Sequence, residues 1–316
     1  MSPGPRGNQQ GIALLTAIIM VAIAAVLATA IAFASAMSAR RASTVFGADQ
    51  ALLAAEGAEA MAAFVLRQSG PNHAEDALNQ PWAQSYGPME LLPGISLEFL
   101  QLEDQQGKFN INNLAPGGAS SASAIAQFSQ LLTLVGLETK WAPLLADWID
   151  SDLEPNFPDG AEDSVYLSQS PPYRAANMPV TSISELLTLP GFGRDRYLRI
   201  APYIAALPPG TTINVCTAPG VVLDALSAKT EYSVSPQQLL ARRQAEGCFP
   251  TLATFTASLG TQPNGGGTTT QLSQTTSYYR LRSVITIGTA RFSLYSLIQR
   301  DGAGQIHVIL RTFGTE

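Results

Sequence analysis

From Ile12 to Ala39 the chain carries no ionisable side chain, and the next two residues but none before them in this stretch are charged, Arg40 and Arg41. Wound as a helix at about 1.5 Å per residue, this segment is about 42 Å long, more than the ~30 Å hydrocarbon layer of a bilayer. It can therefore span a membrane. A secretory signal peptide is the competing reading, since Ala34, Ser35 and Ala36 offer small residues for cleavage. Such a peptide needs an apolar core of only about 7 to 15 residues, and this one is much longer. Charge does not orient the span, because Arg6 on one side faces Arg40 and Arg41 on the other.

The helical pattern continues beyond the apolar stretch. In DQALLAAEGAEAMAAFVLRQ, residues 49–68, Leu52, Leu53, Ala60, Met61, Phe64 and Val65 follow helical spacing, while Asp49, Glu56 and Glu59 gather on another face. The spacing predicts one helix from Ile12 to Gln68, half in lipid and half on a folded domain, ended by Gly70 and Pro71.

With 316 residues, 46% of them hydrophobic, the chain can build one large core or two modest ones besides the span. A net charge of -6 argues against broad nucleic-acid affinity, which requires Lys and Arg to displace counterions. Basic residues cluster only at Arg194, Arg196 and Arg199 and at Arg242 and Arg243. The two cysteines, Cys216 and Cys248, suit a buried reduced pair or one disulfide, depending on compartment. A bond between them would stabilise the fold by about 3–4 kcal/mol. No GxSxG, Walker A or HExxH motif occurs, and His73 and His307 stand apart from any nucleophile pattern, so an enzyme is not expected.

Residues 71–94, with four prolines, read as an extended connection. Residues 94–114 alternate Ile95, Leu97 and Phe99 and then turn at Gln106 and Gly107, which predicts a hairpin. Residues 123–207 are mostly helical in pattern, and residues 261–271 form a polar link. The end reads as a meander: Tyr278 to Ile287, Ala290 to Gln299, and Gln305 to Thr312. The expected class is α+β, a long amphipathic helix packed on an antiparallel sheet, with a large α-helical insertion.

The segment DWIDSDLEPNFPDGAEDSVY, residues 147–166, concentrates Asp147, Asp150, Asp152, Glu154, Asp159, Glu162 and Asp163 with no Lys or Arg between Lys140 and Arg174. Such charges repel unless solvent or a cation intervenes. Calcium suits a flexible, oxygen-only loop, and a merely solvated acidic loop is the alternative. The loop is not an EF-hand, because Pro155 stands where that motif needs glycine. A glycosidase would use two of these carboxylates, but Trp141 and Trp148, seven positions apart, read more simply as core residues of a helix than as a sugar platform.

Two further patterns bear on function. FNINNLAP, residues 109–116, echoes INVCTAP, residues 213–219, each a short β-like run, an Asn turn and a proline. SISELLTLPGFGRDRYLRIAPYI, residues 182–204, resembles a helix-hairpin-helix, whose glycine turn offers N–H groups to phosphate in nucleic-acid proteins. A membrane-tethered DNA receptor of the competence type is the rival this raises, against the chain's net acidity.

The glycine directly before the long apolar helix resembles the leader of type IV pilins and pseudopilins. Within that group the chain is identified as similar to the general secretion pathway protein K family of the type II secretion system, on Gly11/Ile12, FNINNL, the acidic loop, and LPGFG with INVCTA. The departure at Thr16, where most pilins carry Glu, is a habit of that family. The resemblance implies a prepilin leader over 1–11 cut by a prepilin peptidase between Gly11 and Ile12, with N-methylation of Ile12. It further implies a transmembrane part at 12–39, a periplasmic helix at 40–70, sheet parts at 71–114 and 209–316, and an inserted helical domain at 115–208. Calcium is implied at Asp150, Asp152, Glu162 and Asp163, with Asp147 and Asp159 as secondary candidates. Cys216 replaces the second Asn of the repeat, so a disulfide to Cys248 is expected to stand in for a lost turn cap. The implied partners are the I- and J-type minor pseudopilins in a tip heterotrimer, other pseudopilins and the peptidase, with no nucleic acid. The implied location is the inner membrane, crossed once, with the C-terminal domain in the periplasm.

Overall fold

Helix α1 (Gln10–Gln68) runs unbroken through the apolar stretch and on into the folded part of the chain. The computed structural model describes residues 10–68, 74–115, 119–259 and 272–314, so residues 1–9 of the expected leader, the Gly70–Pro71 stop and the whole 261–271 link lie outside the described residues. Residues 12–46 of α1 are exposed throughout, as expected of a surface meant for lipid. Past that point the helix packs against a sheet. Its inward face differs from the expected one: Ala51, Ala55, Ala58, Ala62, Val65 and Leu66 are buried, whereas Leu52, Leu53 and Phe64 point outward. Small side chains bring the helix close to the strands, and Glu59, expected on the wet face, is buried.

The sheet has the order β1 (Met89–Leu92), β2 (Ile95–Asp104), β7 (Tyr278–Ile287), β8 (Ala290–Arg300), β9 (Ile306–Phe313) and is antiparallel throughout. Strands β1 (Met89–Leu92) and β2 (Ile95–Asp104) form a hairpin, so the 71–94 segment is not merely a connection. The predicted turn at Gln106 and Gly107 does not return the chain beside β2. There β3 (Phe109–Asn110) leaves the sheet and pairs in parallel with a distant strand. A bulge between Leu97 and Phe99 also shifts the inward set from Leu97 to Leu100 and Leu102, leaving Phe99 half-buried.

The helical unit follows: α2 (Ala119–Leu134), α3 (Trp141–Ile149), α4 (Asp163–Tyr166) and α5 (Gly193–Ile200). The chain then passes through β4 (Ile204–Ala205), which pairs with β3, and β5 (Ile213–Asn214). Helices α6 (Gly220–Ser227), α7 (Pro236–Glu246) and α8 (Leu252–Leu259) precede β6 (Leu272–Ser273), the parallel partner of β5. The meander closes the sheet as β7 (Tyr278–Ile287), β8 (Ala290–Arg300) and β9 (Ile306–Phe313), within one residue of each expected end.

Two apolar cores result. One joins α1 to the sheet through Leu66, Leu97, Leu100, Leu281, Ile285 and Ile298, with Trp82 packed edge-on to Tyr279. The other fills the helical unit and includes Trp141 and Trp148, but also Val215, Val222 and Phe255. A division at 208–209 therefore does not separate the cores, because α6 and α8 share the core of the inserted helices.

Polar groups bind the two halves. On the sheet side, Glu59 accepts two hydrogen bonds from the Arg311 guanidinium, at 2.8 and 2.7 Å, and one from Ser296 at 2.6 Å. At the seam Asp104 accepts from the Gln106 amide, the Asn214 side chain and the hydroxyls of Thr217 and Thr276, all within 2.9 Å. Burial outweighs these donors and pushes the Asp104 pKa up to about 6.

The internal repeat is visible as structure. Asn110 and Asn214 each accept a hydrogen bond from the amide two residues on, at 3.2 and 3.0 Å. The turn cap expected to be lost at Cys216 is thus still made, by Asn214. What Cys216 replaces is the tether of Asn112, whose amide donates to the carbonyls of Val180 and Leu207 at 2.9 and 2.8 Å. At Cys216 the corresponding link is covalent, a disulfide to Cys248.

Candidate metal centre

Helix α3 ends in the acidic loop because Asp150 leaves helical geometry while its N–H still closes on the Ala146 carbonyl. The chain then wraps back to α4, preceded by Glu162 in an extended conformation. One oxygen each from Asp150, Asp152 and Glu162 lies within 4.8 Å of the others. Both carboxylate oxygens of Glu162 and Oδ1 of Asp150 are buried without a hydrogen-bond partner. Glu162 itself is only 5% exposed.

Acceptor-only groups held together in this way cost free energy unless protons or a cation neutralise them. Burial, then the charges of Asp147, Asp150, Asp152 and Asp163, push the Glu162 carboxyl up to about 7. Burial with Asp152 and Asp147 pushes Asp150 up to about 6. All donors are oxygens, with no imidazole or thiolate among them, which matches a hard divalent cation and calcium in particular.

The remaining sequence candidates divide by role. Asp147 is fully buried at the end of α3 and accepts from the backbone amide of Asn156, at 3.0 Å, and from its side chain, so it braces the loop. Its pKa is raised by burial. Gly160 is required there, since a Cβ would come within 2.2 Å of Asp147 Oδ2 and 2.4 Å of the Asn156 nitrogen. Asp163 turns away, accepting from the Ala175 amide at 3.0 Å and lying 3.6 Å from Arg174. Asp159 is exposed and joins no metal-binding group among the described residues.

One residue escaped the sequence reading. Asn177 adopts φ +48° and donates its side-chain N–H to the Asp152 carbonyl at 3.3 Å, and its backbone N–H to the Trp148 carbonyl at 3.0 Å. Its Oδ1 is buried and unpartnered, on a side chain that touches the Asp152 backbone. A neutral amide fourteen residues beyond Asp163, the last acidic residue of the loop, leaves no charge signal to find. Beneath the loop Trp148, Tyr166 and Tyr173 pack as a ring cluster, with centroids 5.0 to 6.3 Å apart.

The other candidates sit as follows. Gly11 and Ile12 lie inside α1, and Ile12 is 67% exposed. Thr16 satisfies its hydroxyl within the helix, donating to the carbonyls of Ile12 and Ala13 at 3.1 and 3.0 Å, where a carboxylate would have been left bare. LPGFG is an interhelix turn with Gly191 at φ +78°. Arg196 is spent on Glu138 at 2.8 Å and on the carbonyls of Gly191 and Phe192. That use leaves the turn's principal cation bound within the fold, against the DNA-receptor rival.

Comparison with known proteins is consistent along nearly the whole chain. The family profile for type II secretion system (T2SS) protein K matches residues 107–209, which include the acidic loop. The type II secretion system protein K of Pseudomonas aeruginosa is 32% identical over 322 residues, covering 98% of this chain and 94% of its own length. That of Klebsiella pneumoniae is also 32% identical, over 97% of this chain and 95% of its own. Among solved structures, a chain in the crystal structure of the GspK–GspI–GspJ complex from the enterotoxigenic Escherichia coli type 2 secretion system aligns with TM-score 0.70 and 29% identity. It covers 87% of this chain and 100% of that one.

Proposed function

The chain belongs to the type II secretion system protein K family, and on that premise we propose that it caps the pseudopilus tip as a minor pseudopilin and helps start tip assembly for export of folded proteins. The observation that carries this is full-length similarity to a protein solved in complex with two others of its system. The outer face of α1 supports it. Phe46, Leu53 and Phe64, spaced by about two and three helical turns, are each more than 60% exposed, opposite the alanine face that meets the sheet. A bare apolar stripe continuing the membrane segment suits neighbouring helices of the I- and J-type minor pseudopilins. Thr16 and the bulky helical unit suit the last position of a filament. Co-expression of the full chain with those two partners, followed by purification on one tag, tests this: a 1:1:1 complex is expected, and a chain that purifies alone would contradict it.

Two finer readings accompany the proposal. Cleavage between Gly11 and Ile12 with methylation of Ile12 predicts a mature mass starting at N-methyl-Ile12, with the soluble part in the periplasm. The acidic loop would hold calcium through Asp150, Asp152 and Glu162, with Asn177 as a neutral ligand. When bound, the cation supplies the opposing charge that the buried oxygens of Glu162 and Asp150 lack. Asp147 and Gly160 shape the loop, while Asp163 ties α4 to the Ala175 backbone. The cation's role in this reading is structural, and isothermal titration with calcium should give one site that Glu162→Gln abolishes.

A further inference from the structure

Helix α7 is thinly attached. Of its residues only Leu239 and Arg243 are buried, and an open cleft of about 210 Å³ lined by Tyr232, Leu239 and Phe249 runs beside it. Arg243 is 3% exposed, yet among the described residues no carboxylate pairs with it. Burial, with no opposing charge, pushes its pKa down to about 10. Its neighbour Arg242 is used conventionally, stacked 3.4 Å over Phe249 and paired with Glu246. A buried, unneutralised guanidinium is a costly choice where Leu or Met would fill the space.

Its hydrogen bonds account for the choice. Nε donates to the Phe249 carbonyl at 2.7 Å and Nη2 to the Val215 carbonyl at 2.9 Å. Phe249 directly follows Cys248, and Val215 directly precedes Cys216. Among the described residues, the polar links between these two segments are that fork and the disulfide itself. The first copy of the repeat shows the same device in neutral form, with the Asn112 amide bridging the carbonyls of Val180 and Leu207. In the second copy a guanidinium bridges two carbonyls and a disulfide lies beside it.

We propose that Arg243 is the positioning residue of the Cys216–Cys248 disulfide, drawing the two cysteine-bearing segments together while both thiols are still free. Oxidation needs an external disulfide as the two-electron acceptor. A thiolate of one cysteine attacks it, forming a mixed disulfide and releasing one thiol of the oxidant. The thiolate of the second cysteine then attacks the first cysteine's sulfur, forming the Cys216–Cys248 bond and releasing the second thiol. The two cysteine protons end on the two released thiols. Ring closure in the second step depends on the effective concentration of one cysteine at the other, and the fork raises it. The disulfide then spares α7 from relying on Leu239 and a lone buried charge.

The test uses the full chain in detergent, equilibrated with reduced and oxidised glutathione, and reads the effective concentration of the cysteine pair. Arg243→Met, which keeps the volume but not the fork, should lower it by about tenfold to a hundredfold, the worth of two charge-assisted hydrogen bonds lost from a partly ordered state. Arg243→Lys, which keeps the charge but bonds less of the carbonyl pair, should fall between. Leu281→Ala, in the sheet core, controls for general destabilisation: it should lower the melting temperature and leave the effective concentration unchanged. An Arg243→Met protein within about twofold of wild type, or a Leu281→Ala protein that falls as far, would overturn the proposal. If Arg243→Met is too unstable to purify oxidised, the rate of ring closure from the mixed disulfide of Arg243→Lys provides the same comparison, and an unchanged rate would overturn it.

Discussion

The sheet half and the acidic loop solve the problem of buried charge in opposite ways. In the sheet half each deeply buried carboxylate has donors from its own chain: Glu59 has Arg311 and Ser296, and Asp76 has Arg300. At the loop Glu162 is buried and Asp150 half-buried beside further carboxylates, and both oxygens of Glu162 and Oδ1 of Asp150 meet no donor. Ladders of nine residue pairs between β2 and β7 and ten between β7 and β8 complete the first region without help. The second closes on a turn, a required glycine and an aromatic cluster. A region complete in itself should respond to its own mutations, and one that borrows a charge should respond to solution conditions.

Removing calcium should therefore have the largest effect. At a free concentration about a hundred times Kd, bound cation contributes about 2.7 kcal/mol. For a unit of this size the loss lowers the melting temperature by roughly 5–10 °C. Calorimetry with and without chelator should show this shift in the helical unit, and an unshifted transition would break the contrast. Next, Glu59→Ala leaves Arg311 half-exposed and unpaired and Ser296 without its acceptor. A buried pair loses about 3–5 kcal/mol when broken, and the solvent reaching Arg311 reduces this to about 1–3 kcal/mol. Denaturant unfolding of this variant should show the loss equally in calcium and in chelator.

pH sharpens the comparison further. Asp104 titrates near 6 in the folded chain and near 3.8 unfolded, so between those values the folded state binds more protons. Stability from this group is greatest at acid pH and falls as pH rises through the window from about 4 to 6. Asp150 and Glu162 act with the same sign, up to about 6 and 7, as long as no cation neutralises them. Denaturant unfolding from pH 4.5 to 7.5 in chelator should thus show stability declining with pH from both regions. Saturating calcium should remove the loop's share, and Asp104→Asn the seam's. A decline that calcium leaves untouched would place it outside the loop. The smallest stability effect belongs to Phe64→Ser on the outer stripe of α1: under about 0.5 kcal/mol by denaturant unfolding, with a weakened tip complex as its visible consequence.

The features legible in sequence were those written in a single local pattern. The charge-free run of α1 and the alternation of β7, β8 and β9 need no distant partner to be read, and the acidic loop declares itself by composition. What escaped depends on contacts across the chain. The inward face of α1 is a row of alanines, which hydrophobicity ranks below the leucines that in fact face out. The bulge at Leu97 and Phe99 reverses the alternation that defined the predicted face. The two-residue parallel pairs β3–β4 and β5–β6 are too short for any periodicity. At the site, charge identified Asp150, Asp152 and Glu162 but could not separate them from Asp163, which serves the Ala175 backbone, nor reveal Asn177.

Peptide-resolved hydrogen exchange on the full chain, in calcium and in chelator, tests the central claim most directly. The account predicts that chelation lowers protection of α3 and of residues 147–177 while β7 and β8 exchange at the same rate in both. Equal protection of the loop in the two conditions, or a loss shared equally by the sheet, would contradict it.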